Sequence, residues 1–189
     1  MIPSARFAWL LVVGVMLAAG CKPSSVAEAE AKGDVNWLDN DGSPSALEAL
    51  GRLADHDPAA ASALERRAKF AVSAYIAAWE GVKRGAKWGG DILHAGLQDP
   101  ARAELAASAI DGRDVAVVPF LPDVEASLTR LAAGGMVTTL AAVLASAGPA
   151  AHDAVNRRLA DKATRGVMCG GLAVSTASED AKALLRSVP

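Results

Sequence analysis

The fold is decided by residues 43–58, which read SPSALEALGRLADHDP. Ser43-Pro44 is a typical helix start, because serine accepts a hydrogen bond from a free backbone N–H and proline fits the first turn. Three leucines then recur at helical spacing: Leu47, Leu50 and Leu53. This stripe stops before Asp55-His56, and Asp57-Pro58 repeats the start signal. The segment therefore predicts one helix and the beginning of a second.

The helical pattern continues along the rest of the chain. One long helix is predicted over residues 57–84, where apolar residues share a face: Leu64, Ala68, Val72, Ile76 and Trp79. Further helices are predicted near 90–98, after Asp99-Pro100 and after Pro122. Residues 115–119 are apolar but have no second strand to pair with, so we expect an extended or short helical link. The sequence thus predicts an all-α fold.

Glycine pairs and turn signals recur at regular intervals. Gly90 precedes Asp99 by nine residues, and Gly171 precedes Asp180 by the same distance. Predicted unit starts at Asp57, Asp99 and Gly148 are 42 and 49 residues apart, close to the length of a two-helix repeat of about 40 to 47 residues. This spacing favours a short stack of three to four helix hairpins. An irregular helical bundle is the alternative.

Two segments resemble HEAT repeats. Residues 44–68 contain the three-leucine helix and its Asp-Pro turn, and residues 92–110 contain Leu97-Gln98-Asp99-Pro100-Ala101-Arg102. The arginine that follows the turn in that family is matched by Arg102. The resemblance implies a HEAT-like α-solenoid over residues 43–189, with a concave side that is free to bind.

Residues 1–20 have the features of an export signal. A lone Arg6 precedes an apolar run over residues 7–17, and the small residues Ala18-Ala19-Gly20 stand directly before Cys21. A lipoprotein signal peptidase needs short side chains at these positions and a free thiol for acylation. The segment resembles the bacterial lipobox, which implies that the mature chain begins at a lipidated Cys21.

The same resemblance implies a location. Lys22 is not the aspartate that retains lipoproteins in the inner membrane, so the outer membrane of the cell envelope is favoured. Residues 21–42 are predicted to be a flexible tether, although Trp37 or Leu38 is expected to dock on the first helices. With Cys21 acylated, Cys169 is the one cysteine left, and no internal disulfide can form.

Charge and motifs exclude several functions. Without Arg6 the chain has 18 basic and 21 acidic residues, which argues against nucleic-acid binding. The three histidines, His56, His94 and His152, lie too far apart in sequence for two to share a helix face as metal ligands. Residues 39–42 resemble a calcium loop, but Trp37 occupies its first ligand position. We therefore expect no metal, no cofactor and no catalytic residue.

Aromatic residues are the remaining candidates for a binding site. Tyr75 and Trp79 are four residues apart and hence neighbours on one helix face, and Trp88 follows soon after. Exposed, these rings would suit a partner, because aromatic side chains bury much area at little entropic cost. Buried, they would form a local core with Trp37. The solvent exposure of Trp79 and Trp88 discriminates between the two interpretations.

These observations predict a lipid-anchored, non-catalytic protein-binding or scaffold module whose partners are the membrane and another envelope protein. Two alternatives stay open. One is an envelope enzyme whose active groups, for example His94 with Asp91, meet only in three dimensions. The other is a structural lipoprotein that contacts peptidoglycan.

Overall fold

The computed structural model describes residues 22–132, 137–175 and 183. These residues form α-helices and short 3₁₀-helices and contain no β-strand, so the predicted all-α fold is confirmed. The α-helices are α1 (Val26–Ala31), α2 (Val35–Asp41), α3 (Pro44–Leu53), α4 (Pro58–Arg67), α5 (Val72–Lys83), α6 (Lys87–Gln98), α7 (Ala103–Ala107), α8 (Leu121–Leu131), α9 (Thr138–Ser146), α10 (His152–Ala160) and α11 (Arg165–Val174). The 3₁₀-helices Val115–Phe120 and Gly148–Ala151 precede α8 and α10.

The predicted start signals of α3 and α4 are confirmed. Ser43 Oγ accepts a hydrogen bond of 3.2 Å from the N–H of Ala46. The Asp57 carboxylate accepts one of 2.8 Å from the N–H of Ala59. In both helices a proline follows the cap, so sequence chemistry alone sets these two boundaries.

The predicted single helix over residues 57–84 is wrong. The chain turns at residues 68–71 and separates α4 from α5. Phe70 points into solvent there, and Ile76, which the stripe placed in the core, is exposed. No glycine or proline marks the turn, and Ala71 at the start of α5 offers no side-chain cap. The break is therefore set by packing, because α5 buries a different face from the one that the stripe predicted.

The prediction of a flexible tether is wrong for residues 26–41, which form α1 and α2. Ala29 and Leu38 are fully buried. Glu30 accepts hydrogen bonds of 2.6 and 2.8 Å from the Arg52 guanidinium on α3. Alanine spacing gives α1 an apolar face, and Ser25 caps its first turn, so a polar-looking segment folds. The expected docking of Leu38 is confirmed, and residues 1–21 lie outside the described part.

Every helix contacts two kinds of neighbour. Each one packs against the next helix in the chain, from α1 with α2 to α10 with α11. The odd-numbered helices also contact one another in order, from α1 with α3 to α9 with α11. The even-numbered helices do the same from α2 to α8, and ion pairs continue this row to α10. The described helices therefore lie in two rows.

Helices two places apart run parallel. Glu30 and Arg52 pair near the carboxyl ends of α1 and α3. Asp55 and Arg84 pair just beyond the ends of α3 and α5. Glu104, in the first turn of α7, accepts hydrogen bonds from the N–H groups of Thr139 and Leu140 in the first turn of α9. Odd-numbered helices consequently all start at one end of the molecule.

This arrangement gives the molecule two ends. The upper end comprises the start of α1 and the turns at residues 42–43, 68–71, 99–102 and 161–164. The lower end comprises the turns at residues 32–34, 54–57, 84–86 and 108–114. Even-numbered helices begin at the lower end and finish at the upper end.

The repeat length expected from the turn signals is wrong. Asp57 caps α4 in the even row, whereas the Asp99 turn leads into α7 in the odd row. The two signals mark opposite ends of the molecule, so the distance between them measures no repeat. From α3 onward, helices two places apart begin 27 to 35 residues apart.

The glycine pairs Gly89-Gly90 and Gly170-Gly171 mark close helix contacts and not helix ends, and the pair Gly134-Gly135 lies outside the described residues. Gly89 lies inside α6, where an added Cβ would come within 2.4 Å of the carbonyl oxygen of Ala78 on α5. Gly171 lies inside α11, where a Cβ would come within 2.6 Å of Ala141 on α9. In each pair the other glycine, Gly90 or Gly170, has open space around it.

Adjacent glycines of α6 provide a test of this packing. We expect Gly89→Ala to lower the free energy of unfolding by about 1–3 kcal/mol, because backbone atoms of α5 must move apart. Gly90→Ala is the matched control and should raise it by about 1 kcal/mol through helix propensity. Urea denaturation of both variants measures the difference. Equal effects of the two substitutions would contradict the close contact.

Candidate functional site

Two of the three predicted binding aromatics belong to the core. Tyr75 and Trp79 are buried on α5. The edge of Trp79 packs against the Phe120 ring, with ring centres 6.1 Å apart. Neither residue can offer a surface to a partner, so the prediction is wrong for both. The reason is α5 itself, which contacts helices on both sides of its row and has little free face.

Tyr75 is fixed by close packing against α6. A Cβ on Gly96 would come within 2.5 Å of the Tyr75 ring. The hydroxyl is buried and has no hydrogen-bond partner among the described residues. Burial raises the pKa of Tyr75 above its ordinary value, and the nearby Arg102 opposes that shift. Tyr75 is therefore a packing residue that stays neutral at physiological pH.

Trp88 is half-buried and is held in one orientation. Its ring packs over Gly81 of α5, where a Cβ would lie 2.7 Å from the indole. Its Nε1–H donates a hydrogen bond of 3.0 Å to Asp55 Oδ1. Arg84 Nε donates to the other oxygen of the same carboxylate at 2.9 Å. Asp55 thus fixes the indole while part of the ring remains accessible.

A groove opens beside Trp88, between α4 and α6. It has a volume of about 180 Å³ and is lined by Ala61, Ser62, Glu65, Trp88, Asp91 and Ile92. We call these six residues the Trp88 groove. Its floor is apolar and aromatic, and two carboxylates stand at its rim. This combination suits an elongated side chain that ends in a cation.

The charge of the groove is negative. Glu65 has no ion-pair partner among the described residues. Asp91 pairs with Lys87 on the same helix at 2.6 Å, but the Lys87 side chain is 86% exposed. Such a pair contributes little to stability, because water screens both partners. An incoming cation can therefore replace Lys87 at a small cost.

The groove lies at the one step of the even row that has no polar link among the described residues. Asp39 of α2 pairs with Arg66 and Arg67 of α4. Asp123 of α8 takes hydrogen bonds from α6, and Glu125 of α8 pairs with Arg157 of α10. Between α4 and α6 no hydrogen bond or ion pair of this kind is present within the described ranges, and the Trp88 groove occupies that space.

His94 pairs with a carboxylate other than the predicted one. Its Nδ1 lies 2.5 Å from Asp123 Oδ2, and its ring stacks on Phe120 with centres 4.5 Å apart. Gln98 Nε2 donates to the second oxygen of Asp123 at 3.2 Å. Asp91 pairs with Lys87 instead. The structure therefore does not form the His94 and Asp91 pair, and it uses His94 to join α6 to α8.

The acidic segment at residues 39–42 has a structural use. Asp39 accepts hydrogen bonds from Arg66 and Arg67, which hold α2 against α4. Burial raises the pKa of Asp39, but the two guanidinium groups outweigh this effect and hold it below its ordinary value. No group of three or more possible ligands in the described residues is arranged to hold a metal ion.

Sequence reasoning missed Asp55, the residue that orients Trp88. Its neighbour Asp57 has a local explanation as a helix cap, whereas the partners of Asp55 are 29 and 33 residues away. No periodic signal in the sequence pairs residues at that distance. The signal in the sequence is that Asp55 follows α3 but caps no helix, which indicates a different role for its carboxylate.

None of the helices in the described part of the chain has the length and apolarity that a membrane crossing requires. No protein-family model, no curated protein and no solved structure matches the chain.

The hydrogen bond between Asp55 and Trp88 predicts that the stability of the fold depends on pH. The hydrogen bond from Arg84 lowers the pKa of Asp55 below its ordinary value, burial opposes the shift, and Trp88 adds to the lowering. The ionised Asp55 therefore stabilises the fold at neutral pH, and this contribution is lost as the pH falls below about 4 and through the lowered pKa. We expect Asp55→Asn to lower the free energy of unfolding by about 1 kcal/mol at pH 7.

As the pH falls through the lowered pKa of Asp55, the wild type and Asp55→Asn should become more alike in stability, because the wild-type carboxyl becomes protonated. Urea denaturation at pH 7 and at a series of lower pH values measures the difference between the two proteins. Asp153→Asn, on an exposed position of α10, is the control for a generic loss of charge. A difference for Asp55→Asn that stays constant with pH would show that ionisation of Asp55 does not hold Trp88.

Proposed function

We propose that the chain is an envelope lipoprotein, anchored by acyl groups on Cys21, that acts as a non-catalytic protein-binding module. The proposal joins two observations. The lipobox-like residues 18–21 are the signal for export and lipid attachment in this proposal. The Trp88 groove supplies a preformed surface on the helical body.

The fold that we propose for this module is a short α-solenoid. The contact pattern supports it, because successive described helices touch, and helices two places apart also touch, with α8 and α10 joined by an ion pair. Stacked helix hairpins produce this pattern, since each hairpin buries its apolar face on the next. A solenoid exposes long helix faces between its turns, and the Trp88 groove lies between two successive helices of one row.

We propose that the groove binds a lysine or arginine side chain of another envelope protein, and the fixed Trp88 indole is the single observation that carries this. An indole face attracts a cation, and the attraction strengthens when carboxylates share the site. Glu65 and Asp91 stand at the rim. Because Asp55 and Gly81 already hold the ring, little conformational entropy is lost when a partner binds.

Crosslinking in the native membrane tests the groove. A photoreactive residue at Ser62, which is exposed and lines the groove, should form an adduct whose partner peptide carries a lysine or arginine beside the linked residue. Glu65→Lys should weaken that adduct about tenfold or more, equivalent to at least about 1.4 kcal/mol. Mass spectrometry of the linked peptides measures both results.

Glu48→Lys is the matched control, because Glu48 lines a different groove, between α3 and α5, and the substitution makes the same change of charge. It should leave the adduct unchanged. An adduct that survives Glu65→Lys, or one that Glu48→Lys weakens equally, would overturn the proposed site.

The lipid anchor has a separate test. Cys21→Ser should abolish the incorporation of radiolabelled palmitate, because the serine hydroxyl cannot form the thioether. It should also leave the apolar signal uncleaved, so the protein gains mass at its N-terminus. Cys169→Ser, which removes the other cysteine, should change neither result. Palmitate incorporation that persists in Cys21→Ser would contradict the anchor.

A further inference from the structure

We infer that the upper end of the molecule lies on the lipid bilayer and inserts Phe70 into its interface. This inference rests on the proposed acylation of Cys21. It goes beyond that proposal, because it assigns a second membrane contact and fixes which end of the helix rows faces the lipid. Three observations lead to it.

The first observation is the length of chain between the anchor and the folded body. The helix α1 begins at Val26, so residues 22–25 alone connect it to Cys21. Fully extended, these five steps span at most about 18 Å. The start of α1 belongs to the upper end, so an acylated Cys21 holds that end close to the lipid head groups. The lower end then faces away from the lipid head groups.

The second observation is the position of Phe70. It occupies the turn at residues 68–71, at the upper end, and its side chain is 82% exposed. The exposed ring contributes nothing to the core, although the chain places its other described aromatic rings against the packed body. Aromatic rings favour the membrane interface, where one side is apolar and the other is wet.

The third observation is how the lysines are distributed. Lys22, Lys69 and Lys162 lie at the upper end, are exposed, and have no ion-pair partner among the described residues. The other lysines of the described residues pair with nearby carboxylates: Lys32 with Glu28, Lys83 with Glu80, and Lys87 with Asp91. The uncompensated ammonium groups thus share the end that carries Phe70.

Most acidic groups at the upper end are occupied, and the exception is Glu65 in the last turn of α4, which has no ion-pair partner among the described residues. Asp39 is held by Arg66 and Arg67, Asp99 by Arg102, and Asp161 lies 3.7 Å from Arg158. Asp41 accepts a hydrogen bond from the N–H of Ser43. Ammonium groups near a surface of anionic lipid add to the attraction of an anchored chain. An anionic phospholipid bilayer is therefore the occupant that fits this end.

Site-specific labelling of the full-length lipidated protein tests the inference. A Cys169→Ser background leaves one reactive thiol when Phe70→Cys is added, since the acylated Cys21 sulfur is blocked. The matched control is Val115→Cys at the lower end, because Val115 is 84% exposed. Both variants, labelled with the polarity-sensitive dye NBD, are reconstituted into vesicles of phosphatidylethanolamine and phosphatidylglycerol.

We expect NBD at position 70 to shift its emission to shorter wavelength, to brighten about twofold or more, and to be quenched by nitroxide-labelled lipid. NBD at position 115 should behave as in water. If both proteins float with the vesicles but the two labels respond alike, the inference is overturned and the lipid anchor stands. If neither protein floats and the N-terminal mass shows no acyl groups, the anchor and the inference fail together.

Discussion

Close approach of helix backbones is the constraint on which the rest of this structure depends. Alanine fills many of the buried positions, and glycine occupies those where two helices nearly touch, as at Gly89 against α5 and Gly171 against α9. A chain with few large side chains cannot fill wide gaps, so its helices must pack near backbone distance. That distance fixes how α5 and α6 lie together. It also fixes the ring of Trp88 over Gly81.

Local chemistry accounts for the parts of the fold that sequence reasoning predicted. Ser43 and Asp57 cap their helices because the cap and its proline act within one turn. The break at residues 68–71 and the folding of residues 26–41 were not predictable in this way. Both depend on contacts with distant helices, such as Glu30 with Arg52 and Asp39 with Arg67. An alanine-rich sequence offers too little contrast between its helix faces to reveal them.

The same division applies to the candidate site. The search for aromatic residues found Trp88. It also selected Tyr75 and Trp79, but these two are buried in the core and cannot contact a partner. What separates Trp88 from the other two is its place near the start of α6, beside the step of the even row that lacks a polar link in the described residues. Asp55 gives the indole its orientation across 33 residues of sequence. Such a pairing becomes visible only when the helices are set side by side.

If the chain is anchored at Cys21 as proposed, the folding of residues 26–41 would also affect how long the domain stays on the cell. Proteases cut exposed, flexible segments far more readily than packed helices. Only residues 22–25 separate Cys21 from α1, and Pro23 among them is buried. The segment that a soluble protease could reach between Cys21 and α1 is therefore only four residues long. With the anchor proposed above, this would keep the domain on the membrane instead of letting it be shed into the medium.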